Sequence, residues 1–395
     1  MPPCNAEMRS EGGKVGMVDV QGSCDARFEP VSGALAEQLE SGNELGASIV
    51  VDVDGRTVVD LWGGWCDTEH RRPWAYDTIT NVWSTTKTVT NLAALMLVDR
   101  GLLDPFAPVA KFWPEFAENG KDQIEVRHVL SHTSGVSGWD PPFRTEDMYD
   151  WDLATSRLAA QAPWWEPGTA SGYHAQNQGH LVGELVRRVT GKSLKAFVAE
   201  EIAGPLGADF QIGAVEADWD RIAPVTPPPP LPFDLDSIDP TSPAFRTFTG
   251  PPADAESANT PGWRRADLGA LNGHGNARSV ARILSALALD GTVDGVRLLS
   301  PETIALIFEE QSHGPDLVLG VPLRFGIGFA LPETETVPYI PEGRTCFWGG
   351  WGGSVIITDL DSRTTISYMM NRMAAGIIGS DRSEAYVTTI HACLA

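Results

Sequence analysis

Positive charge is scarce in this chain. Lysine and arginine together number 29 against 52 acidic side chains, only six residues are lysine, and the formal net charge is −23. That balance argues against nucleic acid or an anionic membrane as partner, since both are bound through basic side chains. Cysteine is also sparse. The five residues Cys4, Cys24, Cys66, Cys346 and Cys393 are odd in number and widely scattered. They form neither a metal-ligand pattern nor a disulfide framework, so a reduced, cytoplasmic setting is expected. No apolar run approaches the ~18 residues of a membrane span. The stretch after Met1 lacks the basic start and apolar segment of a secretory leader, and none is expected.

What is present is an ordinary globular composition, 42% hydrophobic and 21% charged. At 395 residues the chain is long for one core, which predicts one large two-part domain or two domains. Residues 1–27 are polar and glycine-rich and read as a loosely held tail. Residues 30–42 look helical. Ser48–Val53 and Arg56–Leu61 flank Asp54-Gly55, a hairpin signature of two β-branched runs around a turn. Ser354–Thr358 and Thr364–Met370 repeat that character near the end, before a final helix at 381–394. Between these ends, helical patterns recur at 84–100, 150–161, 176–190, 193–203, 278–290 and 301–311. Residues 223–262 carry Pro227 to Pro230 among many other prolines, which predicts a long irregular loop. Strand-rich ends around a helix-rich centre predict an α/β (α+β) fold. The discontinuous sheet domain is expected over 28–82 and 299–395, with a helical insertion over 83–298. No internal repeats are evident.

Three segments carry chemistry. Ser84-Thr85-Thr86-Lys87 is the one Ser-x-x-Lys in the chain and precedes the apolar run Leu92–Val98. On a helix, Ser84 would sit in the first turn with Lys87 on the same face. A serine hydroxyl needs a neighbouring base to act as a nucleophile, and a helix N-terminus offers free N–H groups to developing negative charge. The plain alternative is an N-cap serine with a solvated lysine. A lysine entering a buried apolar helix nevertheless needs a partner or a role. The second segment, Glu166–Ala175, places Tyr173 in a loop before a helix, as a general base or proton relay if cations lower its pKa. A half-buried structural tyrosine is the alternative reading. The third, Cys346–Ser354, contains Trp348-Gly349-Gly350-Trp351, where a glycine-rich edge can donate N–H groups to an oxyanion. An ordinary turn before a core strand would read the same way.

In order and spacing the three segments resemble the class C β-lactamase and penicillin-binding-protein superfamily. Leu130-Ser131-His132-Thr133-Ser134-Gly135 is similar to the His-Thr-Ser-Gly segment of its esterase members. The resemblance covers roughly 30–394 and lies nearest the β-lactamase-like carboxylesterases called family VIII. It implies an antiparallel sheet flanked by the N- and C-terminal helices, plus a mostly helical inserted subdomain. It also implies Ser84 as the acylated nucleophile, with Lys87 and Tyr173 sharing the proton work. The backbone N–H groups of Ser84 and Trp351 would form the oxyanion hole, and Trp348-Gly349-Gly350 would replace Lys-Thr-Gly beside the substrate. Ala175 stands where a substrate-binding asparagine is usual, and Trp348 removes the cation that pairs with a β-lactam carboxylate. Both changes favour neutral esters.

The expected function is hydrolysis of small carboxylic esters without metal or organic cofactor. The alternatives are acyl transfer to an alcohol or amine, weak β-lactamase or D-peptidase activity, and a binding protein that kept the fold. A homo-oligomer is left open. No serine lies in Gly-x-Ser-x-Gly. His128 and His132 lack the intervening glutamate of a helical zinc pair and read as structural. His174 is a candidate to line the cleft. Tryptophans 139, 151, 164, 165, 348 and 351 suggest an aromatic acyl pocket, with Trp139 a further candidate for substrate contact.

Overall fold

The structure is a computed structural model and describes residues 19–229 and 238–395. The proline-rich positions 230–237 and the first 18 residues of the expected tail lie outside the described residues.

The two hairpins form where the sequence places them. Asp54 and Gly55 adopt positive φ between strands Gly46–Val53 and Arg56–Gly64, the backbone twist that a two-residue turn between antiparallel strands demands. The second hairpin joins Val355–Asp359 to Thr364–Met370. Its last strand pairs with Gly46–Val53, setting Ile366 opposite Val51 and Tyr368 opposite Ile49. The two ends of the chain thereby fuse into one nine-stranded antiparallel sheet. Its order is Gln21–Cys24, Arg56–Gly64, Gly46–Val53, Thr364–Met370, Val355–Asp359, Thr345–Gly349, Ala330–Leu331, Pro322–Phe325, Ser312–Pro315. The expected tail is therefore shorter than 27 residues, because Gln21–Cys24 pairs with Arg56–Gly64 as an edge strand.

Central strands are buried on both faces, which explains their continuous β-branched runs. Ile49, Val51, Ile357 and Ile366 point to the N-terminal helix Glu29–Glu40 and the C-terminal helix Asp381–Leu394. Val50, Ile356 and Met369 point the other way, into the larger core. Helix Ala277–Ala288, assigned from sequence to the insertion, packs on strands Gly46–Val53 and Thr364–Met370 instead. Its apolar stripe covers this second face of the sheet, with Val280, Ile283, Leu284 and Leu287 buried.

Helix Thr86–Asp99 is buried over twelve consecutive residues, Thr86 to Leu97. It packs on helix Gln178–Thr190, on helix Ala277–Ala288 and on strand Thr345–Gly349. The loop expected across 223–262 is not wholly irregular. Pro243–Thr249 and Pro261–Arg265 are short helices, each with proline in the first turn, where its missing N–H costs nothing. Ser242 and Thr260 cap them by accepting the N–H groups of Phe245 and Trp263. The helix expected at 301–311 ends at Leu306.

Candidate active site

The polypeptide rises from strand Ile79–Asn81, turns sharply at Trp83 and Ser84, and enters helix Thr86–Asp99. Ser84 therefore stands two residues before the helix and not in its first turn. Trp83 adopts φ +51, a left-handed conformation costly for a bulky residue and typical of functional turns. It is held by Thr86 Oγ1, which donates to the Trp83 carbonyl and accepts the Gly273 N–H. Thr85 and Ser354 hydroxyls pair at 3.0 Å, and Ser354 donates to the Val82 carbonyl at 3.0 Å. These bonds dock the Ser84 turn against the glycine-rich segment before strand Val355–Asp359. Gly350 permits the approach: a Cβ there would lie 2.3 Å from Ser354 Oγ and 2.4 Å from the Val82 carbonyl oxygen.

Lys87 Nζ lies 2.9 Å from Ser84 Oγ and donates to the carbonyls of Ala175 at 2.8 Å and Ala270 at 2.9 Å. No carboxylate is among its partners. Burial alone pushes its pKa well below the ordinary lysine value. A neutral amine has two N–H groups and one lone pair. In that form, with both N–H groups given to the two carbonyls, the lone pair would be directed at the Ser84 hydroxyl.

Tyr173 is fully buried and closes the other side. The Trp348 indole N–H donates to its hydroxyl at 3.0 Å, and the Ser84 side chain is the polar neighbour on its open side. An indole nitrogen only donates, so the phenol proton is free to face Ser84. Burial pushes the phenol pKa above its ordinary value, and the polar neighbours Ser84 and Trp348 only partly offset this. The expectation that cations lower it is corrected: the neighbouring amine, 4.8 Å from the ring centre, is itself driven toward neutrality. Among the described residues, neither the Ser84 nor the Trp351 N–H has an intramolecular acceptor, whereas those of Gly350, Gly352 and Gly353 all do.

Ser84 and Tyr173 line one cleft. Its walls are largely apolar: Trp83, Trp263, Trp351, Met148, Phe248, Leu271 and Ile377 among others. Trp83 packs edge-on against Trp263 and Trp351, with ring centres 5.5 and 5.2 Å away. Gln176 anchors the roof, donating from Nε2 to the carbonyls of Thr247 and Pro251. Asp254 is the one carboxylate among the lining residues, and no lysine or arginine is among them. A wider polar groove near Asn43, Arg372 and Ser380 lies elsewhere and contains none of the expected site residues.

Several expected substrate contacts are not on the cleft wall. Trp348 is buried behind Tyr173 and positions its hydroxyl. Gly349 closes strand Thr345–Gly349, and Gly350 serves the close approach described above. His174 is fully buried. Its Nδ1 donates to the Gly172 carbonyl at 2.7 Å, and its Nε2 accepts from the Ser134 hydroxyl at 2.6 Å. Burial pushes its pKa down to about 3. Trp139 is fully buried, stacked on Phe143, and donates to the Ala154 carbonyl. Of the tryptophans proposed for an acyl pocket, only Trp351 lines the cleft.

Trp83 and Trp263 were missed by sequence reasoning. Trp83 had a signal, adjacency to Ser84, while Trp263 sat inside the segment read as loop. His132 acts at the rear. Its Nδ1 accepts the His174 N–H at 3.1 Å, and its ring packs 5.0 Å from that of Tyr173. Burial, chiefly, pushes its pKa well below the ordinary histidine value. The described residues contain no cluster of metal-ligating side chains.

Known proteins resemble this chain over nearly its whole length. The family model described as Beta-lactamase matches residues 31–383. Esterase/beta-lactamase LipL of Mycobacterium tuberculosis is 34% identical over 379 residues, covering 92% of this chain and 86% of its own. A crystal structure of a family VIII carboxylesterase is 38% identical with a TM-score of 0.89, covering 95% of this chain and all of that one. A penicillin-binding protein homologue from Caulobacter crescentus is 36% identical with a TM-score of 0.87 and the same coverage of both chains. A match of that length, on a fold shared from the first helix to the last, makes this chain a member of the beta-lactamase family.

Proposed function

We propose that this protein hydrolyses small, uncharged carboxylic esters through an acyl-enzyme on Ser84. The observation that carries the reading is the buried Lys87 amine, held by two carbonyls with its Nζ 2.9 Å from Ser84 Oγ and no counter-charge to keep it protonated. Relatives named esterase and carboxylesterase support it.

In acylation, Lys87 accepts the Ser84 proton while Oγ attacks the ester carbonyl. The developing oxyanion is received by the N–H groups of Ser84 and Trp351. Collapse of the tetrahedral intermediate breaks the bond to the alcohol, and the Tyr173 phenol protonates the departing oxygen. The proton held by Lys87 then restores the phenol. Water repeats the sequence on the acyl-enzyme: Tyr173 and Lys87 relay its proton, which returns to Ser84 Oγ as the acid leaves. A phenol that resists ionisation suits the role of donor and relay. It does not suit that of a resting base.

The cleft supports neutral substrates. No cation among its described lining residues could pair with a β-lactam carboxylate, and Ala175 offers only its carbonyl, already taken by Lys87. Acyl transfer to an alcohol is the second reading, favoured by the apolar wall, which gives water few partners while holding an organic acceptor. The four described cysteines are free thiols, which supports a reducing, cytoplasmic location. No helix among the described residues is long and apolar enough to cross a membrane.

Incubation with a fluorophosphonate followed by mass spectrometry tests the reading. One adduct per chain, on Ser84, is expected. An unmodified chain, or full ester turnover by Ser84→Ala, would overturn it. Product analysis with added alcohols separates hydrolysis from transfer.

A further inference from the structure

Tyr173 is gripped at both ends. The Trp348 indole fixes the hydroxyl. The backbone N–H at the other end donates at 3.0 Å to Oδ1 of Asp316. Asp316 sits on the turn between strands Ser312–Pro315 and Pro322–Phe325 and is 1% exposed. The same oxygen accepts the N–H groups of Val318 and Leu319, each at 2.9 Å. The turn is bonded to the tyrosine segment a second time, where the Leu317 N–H donates to the Ser171 carbonyl at 2.8 Å. Oδ2 of Asp316 is buried without a hydrogen-bond partner.

That asymmetry calls for an explanation. A buried carboxylate is costly unless its oxygens are satisfied. Closing its own turn would need only the N–H groups of Val318 and Leu319, whereas the third donor, Tyr173, lies on a different segment. The carboxylate does not line the cleft, so it does not meet substrate. Its contact with the chemistry runs through Tyr173 alone. Ala175, two residues on, gives its carbonyl to Lys87. Displacing the Tyr173 backbone therefore also disturbs one of the two acceptors that orient the amine.

We propose that Asp316 is a positioning residue for the reaction, anchoring the backbone of Tyr173 so that its phenol and the Ala175 carbonyl keep their places around Ser84. The inference rests on the esterase reading given above. Its charge works in the same direction as burial, disfavouring loss of the phenol proton.

Asp316→Asn keeps an oxygen for the three N–H groups and removes the charge. Asp316→Glu keeps the charge and carries the oxygen about one methylene too far. Turnover of a p-nitrophenyl ester is measured for each, with kcat expressed per fluorophosphonate-titrated site so that misfolded chains do not count. The expected result is a kcat about 10- to 100-fold lower for Asp316→Glu, with KM within about 3-fold of the parent. Asp316→Asn is expected to retain at least about a fifth of the parent kcat, which a requirement for charge would not allow. Should the glutamate variant not fold, Asp316→Ala takes its place with the same expected split. A Glu or Ala variant with the parent's kcat, a loss carried by KM, or an Asn variant as impaired as the Glu variant would overturn the assignment. The parent and Ser84→Ala, run alongside, test the esterase reading separately. An inactive parent removes that reading, whereas an active parent with indifferent Asp316 variants removes only this one.

Discussion

The indole N–H of Trp348 donates to the hydroxyl of Tyr173 at 3.0 Å. The bond leaves the phenol its own proton and aims that proton away from the indole. Trp348→Phe keeps most of the ring and removes the donor. A fall in kcat of about 10- to 100-fold, with KM little changed, is expected from steady-state kinetics on a small ester. The ratio of aromatic to aliphatic ester turnover is expected to stay the same, since Trp348 lies behind the tyrosine and away from the cleft.

Acyl preference is expected to be set elsewhere. Trp263 lines the cleft, and its indole N–H donates to Asn81 Oδ1 at 2.9 Å. Trp263→Leu widens the wall, so esters of bulky acyl groups are expected to gain kcat/KM relative to acetate by roughly 10-fold, a change of about 1–2 kcal/mol. A panel of p-nitrophenyl esters of increasing acyl size measures this.

Lys87 provides a pH test with a definite sign. Its folded pKa is depressed by burial, so the amine is charged only when pH falls through that lowered value. Activity is expected to hold from well below pH 10.5 upward and to decline on the acid side. The same shift makes the unfolded chain bind the extra proton, so this group's contribution to stability rises with pH between the folded and unfolded values. Lys87→Arg, charged at every accessible pH, is expected to lose about 10³-fold or more of kcat without regaining it at high pH.

Gly350→Ala places a methyl group against Ser354 Oγ and the Val82 carbonyl. Backbone cannot yield there without parting the nucleophile turn from the Trp351 segment. A destabilisation of about 1–3 kcal/mol, read as a lower Tm, is expected together with a fall in kcat.

Glu44 and Arg382 form an ion pair at 2.7 Å in which both side chains are almost entirely buried. Arg382 also donates to the carbonyls of Asn43 at 2.8 Å and Arg372 at 2.6 Å. Arg382→Met strands the carboxylate, for an expected loss of about 3–5 kcal/mol. Glu44→Leu with Arg382→Met is expected to cost less than the two single changes added together. Denaturant unfolding of the four proteins closes the cycle.

Both hairpins and the apolar helix after Ser84 could be read from the chain because their signals are local: β-branched runs around Asp54-Gly55 and an unbroken run from Leu92 to Val98. Sheet order could not. Strand Gly46–Val53 pairs with Thr364–Met370 through contacts that no local pattern encodes, and Gln21–Cys24 carries no strand-like composition. The Ser84, Lys87 and Tyr173 side chains stood out because their chemistry is in the residue type. Ala270 and Ala175 contribute carbonyls that any residue possesses, and Asp316 acts on a backbone N–H, so their residue types gave no warning. Trp348 was noticed but misplaced, since an aromatic ring in a motif does not declare which side of a strand it occupies.

The Lys87 amine, enclosed by Ser84 and two carbonyls, is also out of reach of reagents dissolved in water. Lys111 is exposed and Lys192 partly so, and lysines are few. Coupling this protein to a resin or a dye through amine chemistry should thus attach it at a handful of outward points while sparing the one amine on which the proposed turnover depends.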